Sequence, residues 1–206
     1  LLIEKGVKIN DPQYLLSTLV RNGVHTILIK NKYVNMIEFL IEKGADVNIK
    51  KNNTKDLITI AVEYGHIDTI KSLLDHGAHI LNIKNLITIA VENRDIDTIK
   101  LLIEKGADVN TKDTHGEYLL TIAVKKGYLE IAKLLIKNGA DVNGKEERYF
   151  LEIAIEEGYS YPQRKSKKFK SIIKLLIENG AHINIEDTKN EHLLAIAVEK
   201  GNYDIV

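Results

Sequence analysis

Apolar residues recur along the chain in two alternating kinds of segment. One kind places aliphatic residues three and four positions apart and ends in glycine, as do Ile99, Leu102 and Ile103 before Gly106. This spacing puts the aliphatic side chains on one face of a helix, and glycine is typical of the position just past a helix end. The other kind centres on an alanine flanked by isoleucine and valine, as at Ala90. It predicts a short helix that a neighbouring helix approaches closely.

The two segments keep a fixed phase. The glycines that end the first kind of segment are Gly44, Gly77, Gly106, Gly139 and Gly180, and the central alanines of the second kind are Ala61, Ala90, Ala123, Ala154 and Ala197. Gly44 and Gly77 lie 33 residues apart, as do Gly106 and Gly139. We call the alanine-centred helix of each unit its first helix and the glycine-ended helix its second. Repeats of this length predict stacked units that bury their apolar faces against one another.

The phase also predicts unit limits. We expect a half-unit at 1–8, full units at about 9–47, 48–80, 81–109, 110–142 and 143–183, and a final half-unit at 184–206. Insertions at about 24–32 and 159–170 separate the two helices of their units. An alternative register makes residues 26–32 the first helix of the first full unit. Apolar residues near both ends predict further repeats or stacked chains beyond them.

Polar residues mark the turns and helix starts. Asp113 and Gly116 lie in a stretch rich in turn-forming residues and predict a tight turn before the fourth full unit's first helix. Asp56 and Asn85 directly precede first helices and can cap them, because a short side-chain oxygen can accept a free backbone N–H. Tyr118 stands at the same place and cannot cap in this way.

These features together resemble the ankyrin repeat. The fragment Gly-Ala-Asp-Val-Asn, most specific to the family, occurs at 44–48, 106–110 and 139–143. The resemblance implies an all-α fold: an ankyrin-type helical solenoid of helix-turn-helix repeats with short β-turn connections, in a single array over 1–206. The Thr-Pro-Leu-His segment that usually opens the first helix is absent from every unit. Repeat style and composition also resemble the ankyrin arrays of large DNA viruses of amoebae, which implies a place in the host cytoplasm or the virion.

Composition and motifs point away from catalysis. The formal net charge is zero, so no global field favours nucleic acid or an anionic membrane, and cysteine is absent. Glu156 and Glu157 are adjacent and therefore face different sides of a helix, while His76 and His79 have no third or fourth ligand nearby in the sequence. We predict no catalytic site, no metal and no cofactor.

A basic cluster lies within the second insertion. Its residues are Arg164, Lys165, Lys167, Lys168 and Lys170, with Tyr159, Tyr161 and Phe169 beside them. We interpret residues 159–170 as a solvated loop or a frayed helix extension. Contact with an acidic partner, nuclear import and RNA stacking are the alternatives, in that order.

The resemblance also implies where a partner binds. Ankyrin proteins generally use a concave face made of the turn tips and the exposed ends of the first helices. Here those helix-end pairs are Arg21 and Asn22, Glu63 and Tyr64, Glu92 and Asn93, Lys125 and Lys126, Glu156 and Glu157, and Glu199 and Lys200, with Thr114, His115 and Glu117 at the best-preserved turn. Charges of both signs along this row favour one specific protein partner. The leading hypothesis is a scaffold that recruits targets, and the alternative is a structural or virion component that self-associates.

Overall fold

The computed structural model describes residues 11–22, 30–48, 55–144, 150–159, 163–183 and 193–199, and the described part of the chain contains helices and no strand. The chain divides into two compact units, residues 1–93 and 94–206. Among the described residues, no helix is long and apolar enough to span a membrane.

The first compact unit contains five of the described helices. They are α1 (Pro12–Asn22), α2 (Lys30–Glu42), α3 (Leu57–Glu63), α4 (Ile67–Asp75) and α5 (Ile83–Glu92). Helix α1 pairs with α2 and α3 pairs with α4, while α1 also packs on α3 and α2 on α4. Helix α1 therefore occupies the place of a first helix and α2 that of a second. Residues 23–29, which include most of the first predicted insertion, lie outside the described residues.

The second compact unit contains the remaining described helices. They are α6 (Ile96–Glu104), α7 (Leu119–Lys125), α8 (Leu129–Lys137), α9 (Phe150–Tyr159), α10 (Gln163–Glu178) and α11 (Leu193–Glu199). First helices stack on first helices, α7 on α9 and α9 on α11, and the second helices α8 and α10 pack on each other. The unit limits inferred from the sequence remain a proposal, since the helices do not by themselves fix where one repeat ends.

The alanine-centred segments lie at the centre of the packing. Ala61, Ala90 and Ala123 are fully buried, and every residue of α7 from Leu119 to Val124 is buried. Since the side chain of alanine ends at Cβ, neighbouring first helices can approach each other closely at these positions. Burial of the flanking isoleucine, leucine and valine side chains stabilises the stack by roughly 25 cal/mol per Å² of apolar surface removed from water.

The glycines end the second helices as predicted. Gly44, Gly77, Gly106, Gly139 and Gly180 all have a positive φ, between 82° and 93°. At each, the N–H of the next residue, an alanine, donates to a carbonyl in the last turn of the helix, as Ala107 does to Leu102 over 2.9 Å. This left-handed helix ending is one that glycine adopts without steric cost.

The cap expected at Asn85 is wrong. Helix α5 begins at Ile83, and the Asn82 side chain accepts the Asn85 backbone N–H over 3.1 Å. Only seven residues separate the end of α4 at Asp75 from Ile83, so this connection is too short for a turn like the one predicted at Asp113. Asn82 therefore supplies the capping oxygen, one helical turn before the position expected from the sequence. At α3 the predicted cap is confirmed, because Asp56 accepts the Thr59 N–H over 2.7 Å.

Two expectations about the fifth full unit also need correction. Residues 163–170 are helical and form the start of α10, so the solvated-loop interpretation is wrong for them, and the alternative of a helix extension is what the structure shows. Gln, Arg and Lys are good helix formers, and Phe169 is only 3% exposed, which ties the segment to the core. Glu156 and Glu157 do not end their helix, since α9 continues through Gly158 to Tyr159. Residues 160–162 lie outside the described residues.

Candidate functional site

The predicted contact residues lie mostly at the carboxyl ends of first helices. Glu63, Glu92 and Lys125 are the last residues of α3, α5 and α7, and Tyr64, Asn93 and Lys126 follow them as helix caps. We use the name first-helix surface for these six residues as a set of equivalent repeat positions. Arg21 is exposed in the last turn of α1, and Glu156 and Glu157 are half-buried within α9. Lys200 lies outside the described residues, and the side chains of Asn22 and Glu199 are not described.

In the first compact unit, two of these residues have structural partners. The Glu63 carboxylate forms an ion pair with Lys55, which precedes α3. The Asn93 side-chain amide donates to the Glu63 carbonyl oxygen over 2.9 Å, so it ties the end of α5 to the end of α3. Tyr64 is 53% exposed, and its ring stacks on His66 with 5.9 Å between centroids. Tyr64 therefore presents a large side chain whose orientation is already restricted.

In the second compact unit, Lys125 and Lys126 behave differently. Lys125 forms an ion pair with Glu117, and both side chains are about one-third exposed. Lys126 is exposed and forms no ion pair with any described residue. The two lysines were predicted as an equivalent pair, but only Lys126 keeps its charge available.

The predicted turn at Asp113 is confirmed. The Asp113 carboxylate accepts the backbone N–H groups of His115 and Glu117, each over 2.8 Å, and Gly116 has a positive φ of 86°. Burial raises the pKa of Asp113, but these backbone hydrogen bonds and the neighbouring His115 ring outweigh it, so the pKa lies below its usual value. Thr114 and His115 are exposed at the tip, and Glu117 is half-buried.

Asparagine side chains link successive turns. In each case the amide donates to a glycine carbonyl in the next repeat over 3.0 Å, and the side-chain oxygen accepts a backbone N–H two residues beyond that glycine. The three asparagines are Asn48, Asn110 and Asn143. Leu81, four residues after Gly77, stands at the corresponding place and is 63% exposed. Since leucine has no polar side chain, it cannot form this link.

Sequence reasoning missed one strained residue. Arg94 has a φ of 60° and is the non-glycine residue with positive φ among those described. It follows α5 at the place where Gly65 follows α3 and Gly127 follows α7, so the alignment itself carried the signal. Its guanidinium lies over the Tyr128 ring, 5.5 Å from the centroid. A cation–π contact of this kind offsets part of the backbone strain.

The described residues bring no metal-binding cluster together. No group of three or more His, Asp or Glu side chains within them could hold a metal ion. His76 directs its Nδ1 atom to the Ser72 carbonyl oxygen over 2.8 Å, as a helix-end contact. An open cleft of about 280 Å³ borders Tyr118 and Phe150, but the amide of its lining residue Asn110 is already engaged with Gly139.

Comparisons with known proteins agree with this geometry. The family model described as Ankyrin repeats (3 copies) matches residues 87–161, and the model described as LRRK2 ANK repeat matches residues 16–113. No curated protein matches the sequence significantly.

Two solved structures resemble the whole fold. An ankyrin repeat domain from Acinetobacter baumannii AYE is 20% identical, with a TM-score of 0.72 over 93% of this chain and 94% of that one. The ankyrin repeat domain of Bcl-3, described as a unique member of the IkappaB protein family, is also 20% identical, with a TM-score of 0.65 over 98% of this chain and 89% of that one. At this identity the likeness concerns the fold.

The helices and their stacking thus define a helical-repeat protein with an all-α ankyrin solenoid fold. The two family models both describe ankyrin repeats, and together they match residues 16–161. Ankyrin repeats are generally protein–protein interaction modules.

Proposed function

We propose that this chain is a non-enzymatic scaffold in the cytoplasm that binds a protein partner through the concave face of its repeats. The partner contacts the first-helix surface and the turn tip at Thr114 and His115. By its resemblance to viral ankyrin arrays, the scaffold recruits a host protein.

One observation carries this proposal: helices α3, α5 and α7 bury most of their apolar residues, whereas the residues at their carboxyl ends differ from repeat to repeat. In α7, all residues from Leu119 to Val124 are buried. The cap positions that follow α3, α5 and α7 hold Tyr64, Asn93 and Lys126. A constant core with variable ends lets a repeat protein recognise a particular partner without a change of fold.

Within the first-helix surface, the side chains without an ion pair are the better contacts. Tyr64 offers a large apolar face with a polar tip, and aromatic side chains are frequent among residues that dominate binding energy. Glu92 and Lys126 are exposed and form no ion pair with a described residue. Lys125 and Glu63 would have to leave their present partners first.

Affinity capture with the full chain, followed by binding kinetics on the protein captured at a one-to-one ratio, tests the proposal. We expect Tyr64→Ala and Lys126→Glu each to weaken binding at least about fivefold, since each removes a central or charged contact. Lys137→Glu is the matched control, because Lys137 is an exposed lysine at the end of the second helix of the same repeat.

Two results would overturn the proposal. Equal binding by Tyr64→Ala, Lys126→Glu and wild type would place the partner elsewhere on the protein. An oligomer whose mass does not change on dilution, with no captured protein, would favour the alternative of a self-associating structural component.

A further inference from the structure

Helix α10 is longer than the other second helices of the second compact unit. Helices α6 and α8 have nine residues each and α10 has sixteen. The glycine-ended segments align Leu129, where α8 begins, with Lys170. Residues 163–169 are therefore two additional turns, which extend the helix by about 10 Å at 1.5 Å per residue.

Phe169 fixes the base of these additional turns. It is 3% exposed, and a Cβ atom at Gly127 would lie 3.4 Å from its Cζ atom. In the preceding repeat, the aligned residue Tyr128 has the Arg94 guanidinium over its ring. In both repeats, therefore, the aromatic ring at this aligned position packs on a residue just after the first helix of the preceding repeat. Because Phe169 is anchored, the turns before it are held in a defined place.

The additional turns concentrate positive charge. Residues 160–177 contain one arginine and five lysines and no acidic residue. Lys167 and Lys168 are exposed and form no ion pair with any described residue. Some exposed lysines elsewhere do pair within their own helix, as Lys133 does with Glu130 over 2.9 Å.

Lys167 and Lys168 share their helix with other cations, and like charges in successive turns repel one another. Negative charge placed against these turns offsets that repulsion. The extension is therefore electrostatically suited to an anionic ligand.

We propose that the basic extension, residues 163–168, docks an acidic segment of a protein partner through the exposed side chains of Lys167 and Lys168. The basic extension would be a second contact surface beside the first-helix surface. This inference rests on the proposed function only in taking the partner to be a protein. Lysine ammonium groups are point charges that accept carboxylates without a fixed geometry, which suits a flexible acidic segment.

The packing of α10 disfavours the two other anionic partners. Phe169, the aromatic side chain described in this segment, is buried and unavailable for base stacking. The apolar residues Ile172, Ile173 and Leu176 are buried as well, so this helix has no continuous apolar face to insert into a membrane.

Binding of three probes to the full chain tests the inference. The probes are a ten-residue peptide of alternating Glu and Ser, a single-stranded DNA 20-mer and vesicles containing phosphatidylserine. We expect the peptide to bind the wild type in low salt. Lys167→Glu/Lys168→Glu should weaken it by at least about tenfold, because two attractive charges become repulsive. The reversal should leave folding intact, since acidic residues near a helix amino terminus are favourable.

The matched control is Lys71→Glu/Lys137→Glu, which makes the same change in net charge at exposed lysines of α4 and α8. It should weaken peptide binding less than Lys167→Glu/Lys168→Glu does in low salt, and by less than about twofold at about 0.1 M salt, where distant charges are screened. Equal losses in both double variants, no peptide binding, or tighter binding of DNA or vesicles than of the peptide would each overturn the inference. Tyr64→Ala should bind the peptide like wild type. A failure of this inference can therefore be distinguished from a failure of the proposal that the partner binds the first-helix surface.

Discussion

Helices α5 and α7 are similar first helices, but the stretches of chain that lead into them have different local structures. Before α7, residues 112 and 118 form an isolated antiparallel bridge around the Asp113 turn, and the helix begins only at Leu119. Before α5 the connection is shorter, and the helix begins at Ile83, so that Lys84 lies within it.

The helix start decides which charges remain available for a partner. Glu117 lies outside α7 and reaches Lys125, eight residues further on. Lys84 and Glu92 have the same separation, but both lie in one helix, about 12 Å apart along its axis at 1.5 Å per residue. Glu92 consequently keeps its charge available, whereas Lys125 does not. Charged residues at equivalent helix ends therefore differ in whether they are paired, because the connections before their helices differ.

The largest expected effect comes from breaking the Asp113 turn. Asp113→Ala leaves two backbone N–H groups without their acceptor and should lower the free energy of unfolding by about 2 kcal/mol. Urea unfolding followed by circular dichroism measures it. Asp97→Ala is the control, because exposed Asp97 has only a 3.6 Å ion pair with Lys100, and it should cost less than about 0.5 kcal/mol. Equal costs would show that the turn does not depend on the carboxylate.

The same turn should be sensitive to acid. The pKa of Asp113 is lowered in the folded chain, so its ionised form stabilises the fold above the unfolded pKa of about 3.9. That contribution is lost as the pH falls through the lower folded value. The difference in unfolding free energy between wild type and Asp113→Asn should be constant above about pH 5 and shrink below about pH 4. A difference that stays constant down to pH 2 would contradict the assignment.

The α5 side of the comparison can be tested at its cap. Asn82→Ala removes the oxygen that accepts the Asn85 N–H and should cost about 1 kcal/mol. Asn85→Ala changes a side chain inside the helix and should be neutral or slightly stabilising, because alanine has the higher helix propensity. Thermal or urea unfolding distinguishes them, and a larger loss at Asn85 would restore the cap inferred from the sequence.

The sequence predicted what depends on spacing within a repeat. The helix pairs, the positive φ of Gly44 and its equivalents, and the Asp113 turn all follow from local residue types and the repeat phase. The start of α5 did not, because Asn82 and Asn85 are both capable caps and the length of the connection decides between them. For residues 159–170 the sequence left a loop and a helix extension open, because the packing of Phe169 near Gly127 is a contact distant in sequence.

The smallest expected effect concerns the ion pairs that flank the first helices. Lys55 and Glu63 flank α3 with the same spacing as Glu117 and Lys125 flank α7, but with the charges reversed. If each pair acts only by attraction, its polarity is immaterial to folding. Lys125→Glu alone should therefore cost less than about 1 kcal/mol, and Glu117→Lys/Lys125→Glu should recover most of that loss.

A double-mutant cycle of the unfolding free energies gives the coupling between the two side chains. The swapped variant also separates stability from recognition, because it places a negative charge at the end of α7 without an unpaired carboxylate. If a partner contacts position 125, the swap weakens binding although the fold is as stable as wild type. A double variant as unstable as the sum of its single changes would show that the pair is held by more than charge. The polarity of each pair would then be a requirement of its own repeat, and the reversal between α3 and α7 would reflect packing around the helices.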